Sequence, residues 1–373
     1  MKDGFANGPG FDRLRTQFLQ AADATGATVT SYPHRLTGPS GEALATDVAW
    51  LGPTDAQRVL FSVSGTHGVE GYFGSACQSE WLHEFATREL PPGVALMMVH
   101  LINPWGTAWS RRVNEDNVDL NRNYLDFSTA LPVNAAYEAI HEIYTCRDFD
   151  GPQRKQADQR LSQQIASIGW NEYQAIVGAG QYIHADGLFY GGVEATWSNQ
   201  TLRSIAGKLP RPMQIAMGFD LHTGAGAFGH PMLLAIAQSR YSALAHAEAI
   251  YGNWLTTLLT DTHAAISETG VVARATGYTS QALVDALPHR HLMQLVIECG
   301  TYPEAPMHKA LRDDHWLHLY GDPRDALGKQ ITQTLFESFL PCDSDWREIA
   351  WRRTREIWER ALKALPGVPP VAV

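Results

Sequence analysis

The feature that most restricts the fold of this chain is a regular alternation of short apolar runs with longer helical patterns. Six runs are apolar enough to form buried strands, namely 43–51, 58–64, 94–102, 213–221, 231–237 and 292–299. Patterns with helical spacing fall at 11–24, 72–89, 133–146, 240–260, 279–287, 323–339 and 343–364. Strands that are apolar on both faces and are separated by helices indicate an α/β fold with a mostly parallel sheet flanked by helices on both faces.

The segment at about 147–210 interrupts this alternation. It is polar at first and then rich in glycine and aromatic residues, as in GQYIHADGLFYGG at 180–192. We interpret it as an insertion that carries a helix and a long, ordered loop overhanging the site. Because no repeat, low-complexity tract or linker divides the chain, we predict a single catalytic domain over residues 1–373.

Composition excludes several classes of partner. The formal charge of −10, with no basic run, argues against nucleic acid or an anionic membrane. No stretch approaches the roughly 18–20 apolar residues of a membrane helix, and no signal peptide is visible. The cysteines at 77, 146, 299 and 342 are far apart, which predicts a reduced, cytoplasmic protein. The oligomeric state is not readable from the sequence.

The run at 58–64 leads directly into Gly65-Thr-His67-Gly-Val-Glu70-Gly71. Such a short, glycine-rich turn allows the imidazole of His67 and the carboxylate of Glu70 to converge on one metal ion, and this pair suits Zn²⁺. A third ligand is offered by His222, which also follows a strand-like run. Asp220, two residues earlier, is placed to orient a ligand or to pair with a cation. We therefore predict one zinc ion held by His67, Glu70 and His222, with a fourth position open to water.

The segment 103–123 combines three arginines with asparagines at 103, 114, 117, 121 and 123. Arg111, Arg112 and Arg122 lie in a loop rather than on a helix face. In an acidic chain they suggest capture of a substrate carboxylate or stabilisation of an oxyanion. The alternative is a structural network with Asp116, Asp119 and Asp126.

Glu298 ends the last apolar run. A carboxylate there is costly unless it is paired or used, and burial raises a carboxyl pKa toward the range of a general base at neutral pH. We expect Glu298 to take the proton from the water activated by the metal.

Four blocks in this order, HGVEG at 67–71, DLNRN at 119–123, DLHTG at 220–224 and ECGTY at 298–302, resemble the zinc carboxypeptidase superfamily, in particular a bacterial branch whose substrates are undefined. The resemblance covers about residues 58–303. It implies the α/β carboxypeptidase fold with a mixed sheet. The zinc ligand set of two histidines and one glutamate is known from this superfamily.

The resemblance also implies further roles. Asn121 and Arg122 match the pair that holds a substrate's terminal carboxylate, and Arg112 resembles the arginine that stabilises the oxyanion, with Arg111 as the alternative. Tyr278, 20 residues before Glu298, is a candidate for the tyrosine of a mobile loop. The insertion at 147–210 is longer than in the family and is expected to limit substrate size.

Three functions stay open at this point. The first is a carboxypeptidase-type hydrolase that cleaves a peptide or other amide bond next to a free carboxylate. The second is an amidohydrolase of small N-acyl amino acids, similar to the aspartoacylase group, for which the same residues would serve. The third is a binding protein that kept the fold but lost catalysis. In every case the expected partner is a small peptide or acyl-amino acid with a carboxylate.

Overall fold

The computed structural model describes residues 10–260, 275–287 and 291–369. In these residues the centre of the molecule is an eight-stranded sheet of order β1-β2-β4-β3-β5-β8-β6-β7. The strands are β1 (Thr28–Thr37), β2 (Ala43–Leu51), β3 (Arg58–Ser64), β4 (Val94–His100), β5 (Ile215–Gly224), β6 (Pro231–Ala237), β7 (Leu255–Leu259) and β8 (His291–Gly300). The pairs β3–β4, β3–β5, β5–β8 and β6–β7 are parallel, whereas β1–β2, β2–β4 and β6–β8 are antiparallel. The predicted mixed, mostly parallel sheet is confirmed.

Helices cover both faces of this sheet. In the described residues they are α1 (Phe11–Ala24), α2 (Gly71–Glu84), α3 (Pro104–Ala108), α4 (Glu138–Tyr144), α5 (Pro152–Ile168), α6 (Trp170–Gly178), α7 (Trp197–Gly207), α8 (Leu244–Tyr251), α9 (Thr279–Ala286), α10 (Glu304–Tyr320), α11 (Ala326–Phe339) and α12 (Ser344–Ala364). Side chains of a strand alternate between the two faces. Leu60 of β3 packs with Trp81 of α2 and with α12. Its neighbour Phe61 packs on the other side with Leu202 of α7 and Leu283 of α9.

The predicted insertion contains α5, α6 and α7 rather than a single helix with a long loop. Together with α4 it has a hydrophobic cluster of its own, in which Ile140, Leu161 and Tyr173 are buried. The irregular residues 179–196 join α6 to α7. Helices α4, α5 and α6 all contribute side chains to this cluster.

Three elements differ from the sequence predictions. The pattern at 240–260 forms α8 only to Tyr251, because Gly252 with φ 54° ends the helix and the following Leu-Thr-Thr-Leu-Leu forms β7. Strand β1 was not predicted, since it lies at the edge of the sheet and most of its side chains are exposed. Helix α10 was also missed. No helix within the described ranges is both long enough and apolar enough to cross a bilayer.

The sheet brings the sequence-predicted residues to one edge. His67 follows β3, the arginine-rich segment follows β4, and His222 and Glu298 lie in the last residues of β5 and β8, where they are register partners. In parallel sheets the loops at the carboxyl ends of the strands form the binding crevice. Cys77 and Cys299 are buried thiols, and all four cysteines are free.

Candidate active site

The turn after β3 is shaped by glycine. Gly65 has φ 72°, a left-handed conformation that lets the chain reverse at the end of the strand. A Cβ atom on Gly68 would lie only 2.1 Å from the carbonyl carbon of Gly106, so any side chain there would push α3 away. The amides of Gly68 and Val69 donate to the carbonyls of Arg112 (3.1 Å) and Arg111 (2.8 Å). The turn and the arginine-rich segment are thereby held as one unit.

His67, Glu70 and His222 converge at the centre of this unit. Their candidate ligand atoms all lie within 4.8 Å of one another, and all three side chains are buried. The two oxygens of Glu70 face the two imidazoles: Oε1 lies 2.9 Å from Nδ1 of His67, and Oε2 lies 2.8 Å from Nδ1 of His222. The turn and β5 thus present three donor atoms toward a common point.

The outward-facing nitrogen of each imidazole meets a second carboxylate. Nε2 of His67 lies 3.1 Å from Oδ1 of Asp119, and Nε2 of His222 lies 3.2 Å from Oδ2 of Asp220. Asp220 also accepts a hydrogen bond from the hydroxyl of Thr66 at 2.8 Å. The hydrogen bond to Asp119 fixes the tautomer and orientation of the His67 ring, so that Nδ1 is the atom left to bind a metal ion. Asp220 acts on His222 through its charge at 3.2 Å rather than through an aligned hydrogen bond.

The electrostatics of the cluster favour a positive charge at its centre. Burial opposes ionisation of Glu70, but the imidazoles of His67 and His222 outweigh it and hold its pKa far below its ordinary value. Burial likewise disfavours a protonated His222, yet Asp220 and Glu70 keep its pKa well above 6.5. Burial opposes ionisation of Asp119 as well, but Arg112 and His67 keep its pKa well below 3.8. Two imidazoles and a carboxylate arranged in this way fit a divalent metal ion.

Glu298 lies across from this cluster. Its Oε1 accepts a hydrogen bond of 2.9 Å from the amide of Ala225, just beyond the end of β5. Burial raises the pKa of Glu298 from 4.5 to about 7, and the nearby charge of Glu70 adds to the rise. A carboxyl group with a pKa near neutrality can both accept and return a proton.

The structure separates the two neighbouring arginines. Arg112 donates from Nε to Asp119 (3.1 Å) and from Nη1 to Glu70 (3.3 Å), so it lies at the cluster. Arg111 points away from it and pairs with Asp314 of α10 at 3.1 Å, where both side chains are buried. The guanidinium of Arg111 is therefore held by Asp314 outside the cavity, whereas that of Arg112 lies at the cluster.

Asn121, Arg122 and Tyr278 form the neighbouring wall. Oδ1 of Asn121 accepts hydrogen bonds from the amide (3.2 Å) and hydroxyl (2.8 Å) of Thr279, which turns its Nδ2 donors the other way. Arg122 donates from Nε (2.9 Å) and Nη2 to the carbonyl of Gly178 and from Nη1 (2.8 Å) to the carbonyl of Asn121. Its guanidinium carbon lies 5.3 Å from the ring centre of Tyr278. Three of its five N–H groups are used in this way, which fixes the guanidinium plane.

One cavity of about 200 Å³ is lined by all of the predicted metal-binding, catalytic and substrate-binding residues except Arg111. The predicted residues on its surface are His67, Glu70, Arg112, Asn121, Arg122, His222, Tyr278 and Glu298. The same cavity is lined by residues that the sequence analysis missed, among them Gln174, Phe189, Glu304 and His308. Leu234, Ile236 and Val296 supply an apolar side.

The missed residues come from two sources. Gln174 and Phe189 belong to the insertion, which was expected to overhang the site without any particular residue being assigned. Glu304 and His308 lie one helical turn apart on α10. The available signal was Pro303 followed by an acidic residue, a pattern typical of a helix start. Asp119 was considered only as part of a structural network, whereas it contacts both His67 and Arg112.

The fold and the site together define an α/β protein with a buried histidine–glutamate–histidine cluster at the carboxyl edge of its sheet. The chain belongs to the family described as protein of unknown function (DUF2817), whose model matches residues 8–353. Its sequence matches no curated protein significantly.

Several solved structures are similar to this chain. The succinylglutamate desuccinylase from Chromobacterium violaceum is 15% identical, with 87% of this chain and 74% of that chain covered and a TM-score of 0.37. Carboxypeptidase A from Helicoverpa armigera is 12% identical, with 96% and 74% covered and a TM-score of 0.44. Thrombin activatable fibrinolysis inhibitor is 10% identical, with 95% and 74% covered and a TM-score of 0.45. The matches include the carboxypeptidase group that the sequence blocks resemble, but likeness at this level carries no activity over to this chain.

Proposed function

We propose that this protein is a zinc-dependent hydrolase of the carboxypeptidase type, which binds one zinc ion per chain and cleaves an amide or peptide bond next to a free carboxylate. One observation carries the proposal. The cluster of His67, Glu70 and His222 shares a single cavity with Glu298, a partly buried carboxyl group of raised pKa, and with the guanidinium of Arg122.

The residues of the cluster fit zinc. Two imidazole nitrogens and one carboxylate are the three protein ligands found in catalytic zinc sites of this type. Asp119 hydrogen-bonds Nε2 of His67 and holds that ring in the orientation that presents Nδ1, and the carboxylate of Asp220 lies 3.2 Å from Nε2 of His222. When bound there, zinc supplies Lewis-acid activation of water and of the scissile carbonyl.

The residues of the chain itself account for the remaining steps. Arg122 and Nδ2 of Asn121 hold the substrate carboxylate, because they offer N–H donors on the cavity wall. Arg112 adds a positive charge beside the cluster and stabilises the negative charge that develops on the carbonyl oxygen. Glu298 accepts a proton from the attacking water and passes it to the leaving nitrogen. The hydrogen bond from Ala225 keeps one oxygen of Glu298 in place while the other acts.

The proposal is tested by a metal-dependent activity screen. Protein stripped with a chelator is assayed with and without one equivalent of Zn²⁺ against peptides with a free C-terminus and against N-acyl amino acids. We expect hydrolysis only with metal and only of substrates with a free carboxylate. Hydrolysis that continues after metal removal, or that is equally fast when the substrate carboxylate is amidated, would refute the proposal. Cleavage confined to N-acyl amino acids would replace it with the amidohydrolase alternative.

A further inference from the structure

The wall of the cavity formed by α10 carries a carboxylate that the proposed hydrolysis does not use. Glu304, the first residue of α10, is partly buried and lines the cavity. Its Oε2 accepts a hydrogen bond of 2.8 Å from the indole Nε1 of Trp170. Within the described residues no lysine, arginine or histidine forms an ion pair with Glu304. A partly buried carboxylate with one neutral donor is well placed to bind a cation from the ligand.

Helix α6 joins this carboxylate to the carboxylate-binding wall. Trp170, which contacts Glu304, is the first residue of α6, and Gly178, whose carbonyl accepts from Arg122, is the last. Eight residue steps separate them, and at about 1.5 Å per residue this corresponds to about 12 Å of helix axis. Glu304 and Arg122 thus contact opposite ends of one helix, and both line the same cavity.

Neither His308 nor Arg312 of α10 neutralises the negative charge of Glu304. His308 lies one turn further along α10 and also lines the cavity. Its Nε2 lies 3.1 Å from the hydroxyl of Tyr144 and 3.2 Å from that of Tyr173. Burial lowers the pKa of His308 to about 3, and the charge of Arg312 adds to this, so the imidazole is neutral. The guanidinium of Arg312 is itself paired with Asp158 at 2.9 Å.

We propose that Glu304 binds the free α-amino group of the substrate, so that the enzyme acts on short peptides with two free ends, above all dipeptides. This inference rests on the proposed hydrolase and specifies its substrate class. Arg122 binds the carboxylate at one end of the peptide, and Glu304 binds the ammonium group at the other.

The helix axis between Trp170 and Gly178 is close to the length that an extended dipeptide requires. An extended chain spans at most about 3.3–3.6 Å per residue, so two residues span about 7 Å. One hydrogen bond of about 2.9 Å at each end brings the required separation of the two binding groups to about 13 Å. A tripeptide requires about 16 Å, which is longer than this axis. An N-acyl amino acid fits the length but offers Glu304 no positive charge.

The test uses the full chain loaded with one equivalent of Zn²⁺ and three related peptides. These are alanyl-leucine, its N-acetyl derivative and alanyl-alanyl-leucine. We expect N-acetylation to lower kcat/KM by about ten-fold or more, mainly through KM, because it removes a charge-assisted hydrogen bond. Glu304→Gln should lower kcat/KM for alanyl-leucine by about the same factor and leave the acetylated peptide unaffected.

Two control variants separate loss of the contact between Glu304 and the amino group from a general effect of substitution on activity. Glu356→Gln makes the same chemical change at an exposed position of α12 and should leave all three peptides unaffected. If Glu304→Gln does not fold, Trp170→Phe removes the indole N–H that positions Glu304, together with part of the ring, and leaves the carboxylate in place; it should shift the preference in the same direction. Equal turnover of alanyl-leucine and its acetylated form overturns the inference while the hydrolase proposal stands.

A failure of the hydrolase proposal would look different. None of the three peptides would then be cleaved. Calorimetric titration of alanyl-leucine into the metal-free protein still decides the question. Weaker binding in Glu304→Gln than in wild type supports the amino-group site, and equal binding in the two proteins overturns it.

Discussion

Glu298→Gln exchanges a carboxylate for an amide of nearly the same shape. The amide oxygen can still accept the hydrogen bond from Ala225, which is 2.9 Å long in the structure. We therefore expect the variant to fold and to keep its zinc. What it loses is the proton acceptor, and general-base catalysis contributes about 10²–10⁴-fold. The expected fall in kcat lies in this range, with little change in KM.

The same substitution should stabilise the metal-free protein, and the structure gives the size of the effect. Burial and the charge of Glu70 raise the pKa of Glu298 from 4.5 to about 7. At about 1.4 kcal/mol per pKa unit, ionising this group in the folded state costs up to about 3.5 kcal/mol. The cost is zero below pH 4.5, grows as the pH rises and is complete above pH 7, because only the folded state resists ionisation there. Glu298→Gln should thus be more stable than wild type at pH 8 and equal to it at pH 4.

Two assays check these expectations. Zinc content and release of leucine from alanyl-leucine are measured on the loaded protein, and denaturant unfolding is measured in chelator at pH 8 and pH 4. Glu356→Gln, an exposed change of the same kind, should alter none of the readings. Turnover close to wild type would remove Glu298 from the mechanism. A loss of zinc together with turnover would show that Glu298 holds the metal instead.

Further predictions address the metal, its support and the paired arginines. Chelation should abolish hydrolysis, and one equivalent of Zn²⁺ should restore it. Asp119→Asn should weaken zinc binding by about 10–100-fold, measured by competition with a chelating dye, because it loosens the ring of His67; unchanged affinity would contradict the role of Asp119. In the pH profile, kcat/KM should rise as Glu298 ionises, with a midpoint at or below about 7 because a bound cation favours the carboxylate form; a profile that falls instead would count against a carboxylate base. Arg111→Ala should lower the free energy of unfolding by about 3–5 kcal/mol, because it leaves the buried carboxylate of Asp314 without the guanidinium of Arg111. Urea unfolding measures this loss. A variant that is as stable as wild type but inactive would show that Arg111 acts in the active site.

Much of the site was predictable because its residues follow apolar strands directly. His67, Glu70, His222 and Glu298 each lie at the end of a run that can only be a buried strand, and parallel strands end at the same edge of a sheet. Polar residues among glycines at such positions are visible without any knowledge of packing. The central strands β3, β4, β5 and β8 were predictable for the same reason, since they are apolar on both faces.

Other features were not predictable from local patterns. Strand β1 is an exposed edge strand, and it is a strand because β2 offers it hydrogen-bond partners. Most of the asparagines after β4 accept hydrogen bonds from backbone amides: Asn103 from Gly106, Asn114 from Val118 and Asn123 from Thr196. Asn121 also accepts one, from Thr279, and what distinguishes it from these three is its place on the cavity wall. Arg111 and Arg112 are identical in type and adjacent, so the sequence could not say which of them would meet Asp314.

The sequence by itself determined the α/β alternation, the donor atoms available for a metal ion and the strand ends on which they stand, because these depend on periodicity and on neighbours in the chain. The tertiary structure decided which charges meet. Three of its pairings join distant parts of the chain, namely Asp119 with His67, Asp314 with Arg111, and Glu304 of α10 with Trp170 of α6. Their energies depend on burial and distance, and both quantities exist only once the sheet, the insertion and α10 have packed together.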